Sequence, residues 1–159
     1  MRRKDSSGKN YGVMLAVYLV GLLIGGLYVG MVSPVRTVVQ ADFGIDGATG
    51  IWMINIYTLF YAALIPVIGK LADRLGRKRV FTVCVGVFCL GSALCGLSQD
   101  VGGFGLLLVG RVVQAVGAGG MIPVANAEIG STFPQEKRGM ALGIAAAVVG
   151  VSNVLGSVL

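Results

Sequence analysis

The chain has 159 residues, 55% of them hydrophobic and 13% charged, and its mean hydropathy is +0.85. A soluble domain of ordinary composition carries about 25% charged residues, so this chain has too little polar surface for a water-exposed globule and reads as an integral membrane protein. The net charge of +6 does not point to nucleic acid, because the cations flank apolar runs instead of covering one basic face.

Residues 1–10 form a polar, cytoplasmic tail with Arg2, Arg3, Lys4 and Lys9, followed by an apolar run at 11–33. That run is longer than the roughly 7–15 residues of a signal-peptide core, and Val39-Gln40-Ala41 is a poor cleavage site. It is therefore expected to be an uncleaved first transmembrane helix. Gly21 and Gly25, then Gly26 and Gly30, give one face the small-residue spacing that lets helices pack closely. Pro34 is expected to break or kink this helix. A polar connection at 35–50 carries Arg36, Asp42 and Asp46, and a second helix spans about 51–69. Trp52 and Tyr57 lie toward its start, as interfacial aromatics do, and Pro66 lies near its far end.

The next stretch, Gly69-Lys70-Leu71-Ala72-Asp73-Arg74-Leu75-Gly76-Arg77-Lys78-Arg79, holds five cations in eleven residues between two nearly uncharged runs. That contrast requires lipid around the runs and water around the turn. Gly69 allows close helix contact, and Gly76 allows a sharp reversal at positive φ. Asp73 can pair with a cation or face a helix dipole, and Arg74 can grip a carboxylate with two hydrogen bonds.

A third helix spans about 80–98. Its three cysteines, Cys84, Cys89 and Cys95, match no zinc or redox spacing and read as small buried apolar residues. Ser98-Gln99-Asp100 with Gly102, Gly103 and Gly105 makes a tight turn into a fourth helix at about 104–126, which contains Arg111. A cation within a span is costly unless it meets a cavity or partner; the alternative is snorkelling to the near interface. The polar connector 126–138 places Glu128 where it can serve as carboxylate partner to Arg74 or Arg77. A fifth apolar run, 139–159, has Gly139 and Gly143 four apart and no polar flank after it, which suggests that the sequence is cut short.

Counting cations on alternate sides puts eleven on one side of five spans and Arg36 alone on the other. The positive-inside rule then places the N-terminus in the cytoplasm.

The pattern Gly-x-x-x-Asp-Arg-x-Gly-Arg-Lys-Arg resembles the loop between the second and third helices of major facilitator superfamily transporters. The resemblance implies that Gly69, Asp73, Arg74, Gly76, Arg77, Lys78 and Arg79 form a latch between the two halves of the transporter on the cytoplasmic side. The fourth helix is similar to the family pattern Arg-x-x-Gln-Gly-x-Gly through Arg111, Gln114 and Gly117, with Ala115 where Gly is usual, and this implies a coupling role. Phe133 to Gly143 resembles the connector into the fifth helix. Trp52-Met53-Ile54-Asn55-Ile56-Tyr57 is similar to the fourteen-helix branch of the drug:proton antiporters. Tyr28 stands near where many relatives carry an Asp, and the stretch from Gly150 to Ser157 lacks the usual Gly-Pro pair, so the proton-carrying residue is unassigned.

The resemblance implies an all-α membrane protein, five helices of a six-helix N-terminal bundle. Its function would be efflux of small amphipathic compounds coupled to protons across the plasma membrane, with a missing C-terminal half or other subunits completing the carrier. Asn55 and Asn126 are candidates for polar contacts in its cavity. The chain has no histidine, no metal-ligand cluster, no nucleophile with a base and no phosphate loop, so no enzyme, metal or cofactor is expected. The alternative function is a non-transporting membrane protein that oligomerises or binds a complete transporter.

Overall fold

The computed structural model of the protein describes residues 11–158, and the polar tail 1–10 with its four cations lies outside them. The described residues are helical almost throughout: α1 Tyr11–Phe43, α2 Gly47–Gly50, α3 Trp52–Leu75, α4 Arg77–Leu97, a π-type turn Ser98–Gly102, α5 Gly103–Thr132 and α6 Gln135–Val158. Four uninterrupted helical segments are long and apolar enough to cross a membrane, not the five expected. The difference lies at residues 77–132, where helical hydrogen bonding runs through the expected turn without a gap. That segment has 56 residues, about 84 Å at 1.5 Å per residue, far beyond a hydrocarbon core of about 30 Å. It doubles back on itself, with Cys95 against Gly110, Gly91 against Gln114, and Cys84 against Gly117 and Gly120.

The helices also run further than hydropathy alone suggests. Pro34 does not break α1, which continues nine residues beyond it. Thr37 Oγ1 donates to the Pro34 carbonyl at 2.9 Å on the next turn. Pro66 and Pro123 likewise lie inside α3 and α5. Where water is scarce, a backbone gives up one hydrogen bond at proline more readily than it abandons the helix. Most of the polar connection 35–50 is therefore helix. The basic stretch is also helical except at Gly76, which reverses the chain at φ 97°, and the connector 126–138 shrinks to Phe133–Pro134.

Helix α5 is the hub, packed against α4, α3 and α1, and it buries Leu107, Ala115, Met121, Val124, Ala125 and Ile129. Its small residues make this possible. A Cβ on Gly117 would lie 2.5 Å from the Cys84 carbonyl and the Phe88 nitrogen, and one on Gly110 would lie 2.7 Å from Cys95 Sγ. The second intimate pair is α1 with α6, where Gly30 meets the Asn153 carbonyl and Gly156 meets the Leu27 carbonyl. The expected Gly26 and Gly30 face is thus in use. Gly69, Gly139 and Gly143 instead meet nothing within 4 Å among the described residues.

The bundle has two chemically distinct ends. One holds the start of α1, the α3–α4 junction and the α5–α6 junction, joined by contacts such as Tyr11 on Phe133. It carries Lys70, Arg74, Arg77, Lys78, Arg79, Lys137 and Arg138. At the other end, Gln99 donates to Asp42 Oδ2 at 2.7 Å, tying the α4–α5 turn to the end of α1. Nearby, Asp46 caps the short α2, and hydrogen bonding from Thr49 holds its carboxyl below the usual carboxylate range. Between the ends, Val20, Val29, Leu59, Val83, Leu90 and Val151 point outward, as lipid-facing side chains do.

Candidate functional site

Two polar clusters stand out in this apolar bundle. The first is built on α5, where Arg111 and Gln114, one turn apart, are 3% and 0% exposed. Arg111 does not snorkel, because α3 and α1 close over it. Its Nε donates to the Met53 carbonyl at 2.9 Å, and its Nη1 lies 3.5 Å from Gln114 Oε1. The guanidinium carbon sits 5.2 Å from the Tyr28 ring centre and 4.9 Å from that of Tyr57. Desolvated cation–π contacts of this kind contribute about 2 kcal/mol each.

Gln114 is the junction of the cluster. Its Oε1 accepts from the Tyr28 hydroxyl, and its Nε2 donates to Ser92 Oγ at 2.8 Å. Ser92 Oγ in turn donates to the Phe88 carbonyl at 3.0 Å. One amide thus links α1, α4 and α5 through groups that would otherwise be buried unpaired. The chemistry it supports is the holding of charge: among the described residues every hydrogen-bond partner of the cation is neutral, and the two ion pairs within 4.0 Å both belong to Arg77. Arg111 also lines a groove of about 280 Å³ with Tyr28, Met31, Val35, Met53 and Leu107.

The second cluster lies at the basic end. Arg77 Nε and Nη2 donate to Asp73 Oδ1 at 3.2 and 3.0 Å across the Gly76 reversal. Its Nη1 donates to Ser131 Oγ at 2.6 Å and to the Ala127 carbonyl at 3.0 Å, with Glu128 Oε2 3.9 Å away. The cation therefore sits on the last turns of α5, where the helix dipole favours it. Of the two partners expected for Glu128, the structure brings it to Arg77; Arg74 is exposed and makes no ion pair among the described residues. Lys78 shares a groove of about 340 Å³ with Glu128 and Tyr18, and Arg79 lies beside Leu75 and Val83.

The remaining candidates are scattered. Gly117 faces α4 at the level of Cys84 and Phe88, below the Arg111 cluster. Asn55 is exposed on α3, and Asn126 is exposed on the rim of a groove between α1, α5 and α6 with Leu22 and Ala145. Sequence reasoning missed Ser92, Tyr28, Tyr57 and Ser131 as members of these clusters. A helical hairpin turning near residue 102 brings position 92 opposite position 113, so Ser92 was within reach of a register argument.

The family model described as the Major Facilitator Superfamily matches residues 18–159. An uncharacterized MFS-type transporter, YfiU, of Bacillus subtilis (strain 168) is 38% identical over 142 residues, covering 89% of this chain and 27% of the relative. Multidrug resistance protein 3 of the same organism is 36% identical over 141 residues, again 89% and 27%. The riboflavin transporter RibZ of Clostridioides difficile (strain 630) is 30% identical over 151 residues, 95% and 32%. The chain spans about a quarter to a third of the length of these curated relatives.

Proposed function

The chain belongs to the Major Facilitator Superfamily, and from that premise we propose that it is part of the first half of a proton-coupled exporter of small amphipathic compounds in the plasma membrane, with its N-terminus cytoplasmic. A multi-pass membrane protein of this family moves solutes; it is not an enzyme. Export of drug-like compounds is supported by the similarity to a multidrug resistance protein. The relative that carries riboflavin in its name widens the class to aromatic amphiphiles. In such carriers two bundles rock around a site near the membrane midplane, and the wall offered here comes from α1, α3, α5 and α6, with Asn55 and Asn126 as polar contacts. The orientation is supported by the seven cations gathered at one end of the described bundle.

The observation that carries the reading is the Arg111–Gln114 cluster. A guanidinium held by neutral partners inside a span is a charge that a moving proton, ion or cargo can sense. Arg111, Gln114 and Gly117 are assigned the coupling role. The stretch from Gly69 to Arg79, with Asp73 and Arg77 on the end of α5 beside Glu128, is assigned the inner latch.

The test uses everted membrane vesicles that hold the full-length protein, energised to an acidic interior. Adding ethidium or riboflavin should release protons, read as recovery of acridine-orange fluorescence. Arg111→Ala should abolish that release while the protein still inserts, and Asp73→Asn should impair it. Unchanged proton release in the Arg111→Ala protein would refute the assignment.

A further inference from the structure

Burying a cation without a counter-charge is expensive, and membrane spans hold such groups only where a partner arrives. Arg111 is 3% exposed, and its Nη2 is buried with no hydrogen-bond partner. No carboxylate among the described residues lies within 4.0 Å of it. The same side chain lines the groove whose other walls are Tyr28 and Met31 on α1, Met53 on α3 and Leu107 on α5. This groove is almost wholly apolar apart from the guanidinium and the Tyr28 hydroxyl, and that hydroxyl is already committed to Gln114.

From this pairing we infer that the groove is a binding site for an anionic amphiphile. The carboxylate of a fatty-acid-like molecule accepts from Arg111 Nη2, and its chain lies along Met31, Val35 and Leu107. A charge-assisted hydrogen bond in a dry site is strong, and the apolar walls reward a hydrocarbon chain but not a small hydrated anion such as chloride. The volume, about 280 Å³, falls just below the range of small-molecule pockets, about 300–1,000 Å³. It therefore takes the head and the first part of a chain, with the remainder leaving through the open mouth. The site deepens the export reading, on which it rests for the claim that the ligand is cargo; binding itself is measured without transport.

Trp52 is the one tryptophan of the chain and adjoins Met53 in the groove wall, so it serves as an energy donor to cis-parinaric acid, a fluorescent fatty acid. The protein is placed in phosphatidylcholine nanodiscs and titrated with the acid and, separately, with its methyl ester. Saturable energy transfer is expected for the acid, with the ester at least tenfold weaker. Arg111→Gln should weaken acid binding at least tenfold and leave the ester unaffected. Val39→Phe, which narrows the groove and leaves the cation in place, should block the acid as well. Oleate should displace the probe and phosphatidylglycerol should not; displacement by phosphatidylglycerol alone would mean a lipid phosphate is the occupant and overturn the fatty-acid assignment. Equal, non-saturating transfer from acid and ester would overturn the site itself. Acid binding by a full-length protein that moves no protons in vesicles keeps the site and rejects the export reading.

Discussion

The close approach of α4 and α5 makes a quantitative prediction about two glycines of the same hairpin. Gly86 and Gly117 are both interior to helices, so replacing either with alanine removes the same conformational penalty, about 0.5–1 kcal/mol in favour of the variant. The surroundings differ. A Cβ at residue 86 meets nothing within 4 Å, whereas one at residue 117 falls 2.5 Å from the Cys84 carbonyl and the Phe88 nitrogen. Ordinary contact begins at 3.4 Å, so the helices must part by about 0.9 Å, and the obstructing atoms are backbone that cannot swing aside. Overpacking of this kind costs about 1–3 kcal/mol. Because the propensity term cancels between the two variants, Gly117→Ala should unfold more easily than Gly86→Ala by about 1–3 kcal/mol. The measurement is denaturant unfolding in mixed micelles, followed by far-ultraviolet circular dichroism. Equal midpoints for the two variants would show that the helices are not in backbone contact at residue 117.

Three further outcomes follow from the polar clusters. Tyr28→Phe deletes the hydroxyl that serves Gln114 and should cost about 1 kcal/mol, whereas Gln114→Leu strands the Tyr28 hydroxyl and Arg111 Nη1 and should cost more, about 1–3 kcal/mol; unfolding midpoints of the two proteins rank them. Arg77→Lys keeps the charge but loses the fork that reaches Asp73 and Ser131 together, and should cost about 1 kcal/mol or less because Asp73 is largely exposed. In double-mutant cycles, Arg77 should couple more strongly to Ser131→Ala than to Glu128→Gln, since the contacts are 2.6 and 3.9 Å; the reverse order would place the cation on the carboxylate instead of the helix end.

Much of this architecture could be read from hydropathy. The apolar runs mark the helices, Gly76 marks the reversal, and the Arg111–Gln114 spacing marks a polar face on α5. Helix ends are harder to read, because a polar residue ends the apolar run without ending the helix. Residues 35–43 and 127–132 are polar enough to leave lipid, yet their backbones continue the ladder of hydrogen bonds already begun. At Pro34 the helix runs on for the same reason, without the break that proline can cause. Four uninterrupted segments stand for the five expected because at Ser98–Gly102 a turn that changes direction keeps helical bonding. The partner choices of Arg77 and Gln114 depend on helix rotation, which short apolar runs fix poorly. Ser131 and Tyr57 became visible only once the faces were in register.

The junction at Gly76 has a mechanical meaning. A single residue with non-helical dihedrals, Gly76 at φ 97°, joins α3 to α4, and α3 extends from it for 24 residues, about 36 Å. Rotating the peptide planes there by about 10° would sweep the Trp52 end of α3 through about 6 Å, from the 1.5 Å rise per residue alone. The Met53 carbonyl that holds Arg111 lies at that far end. Any rotation taken up at Gly76 would therefore be felt most at that far end of α3, where the carbonyl that holds Arg111 lies.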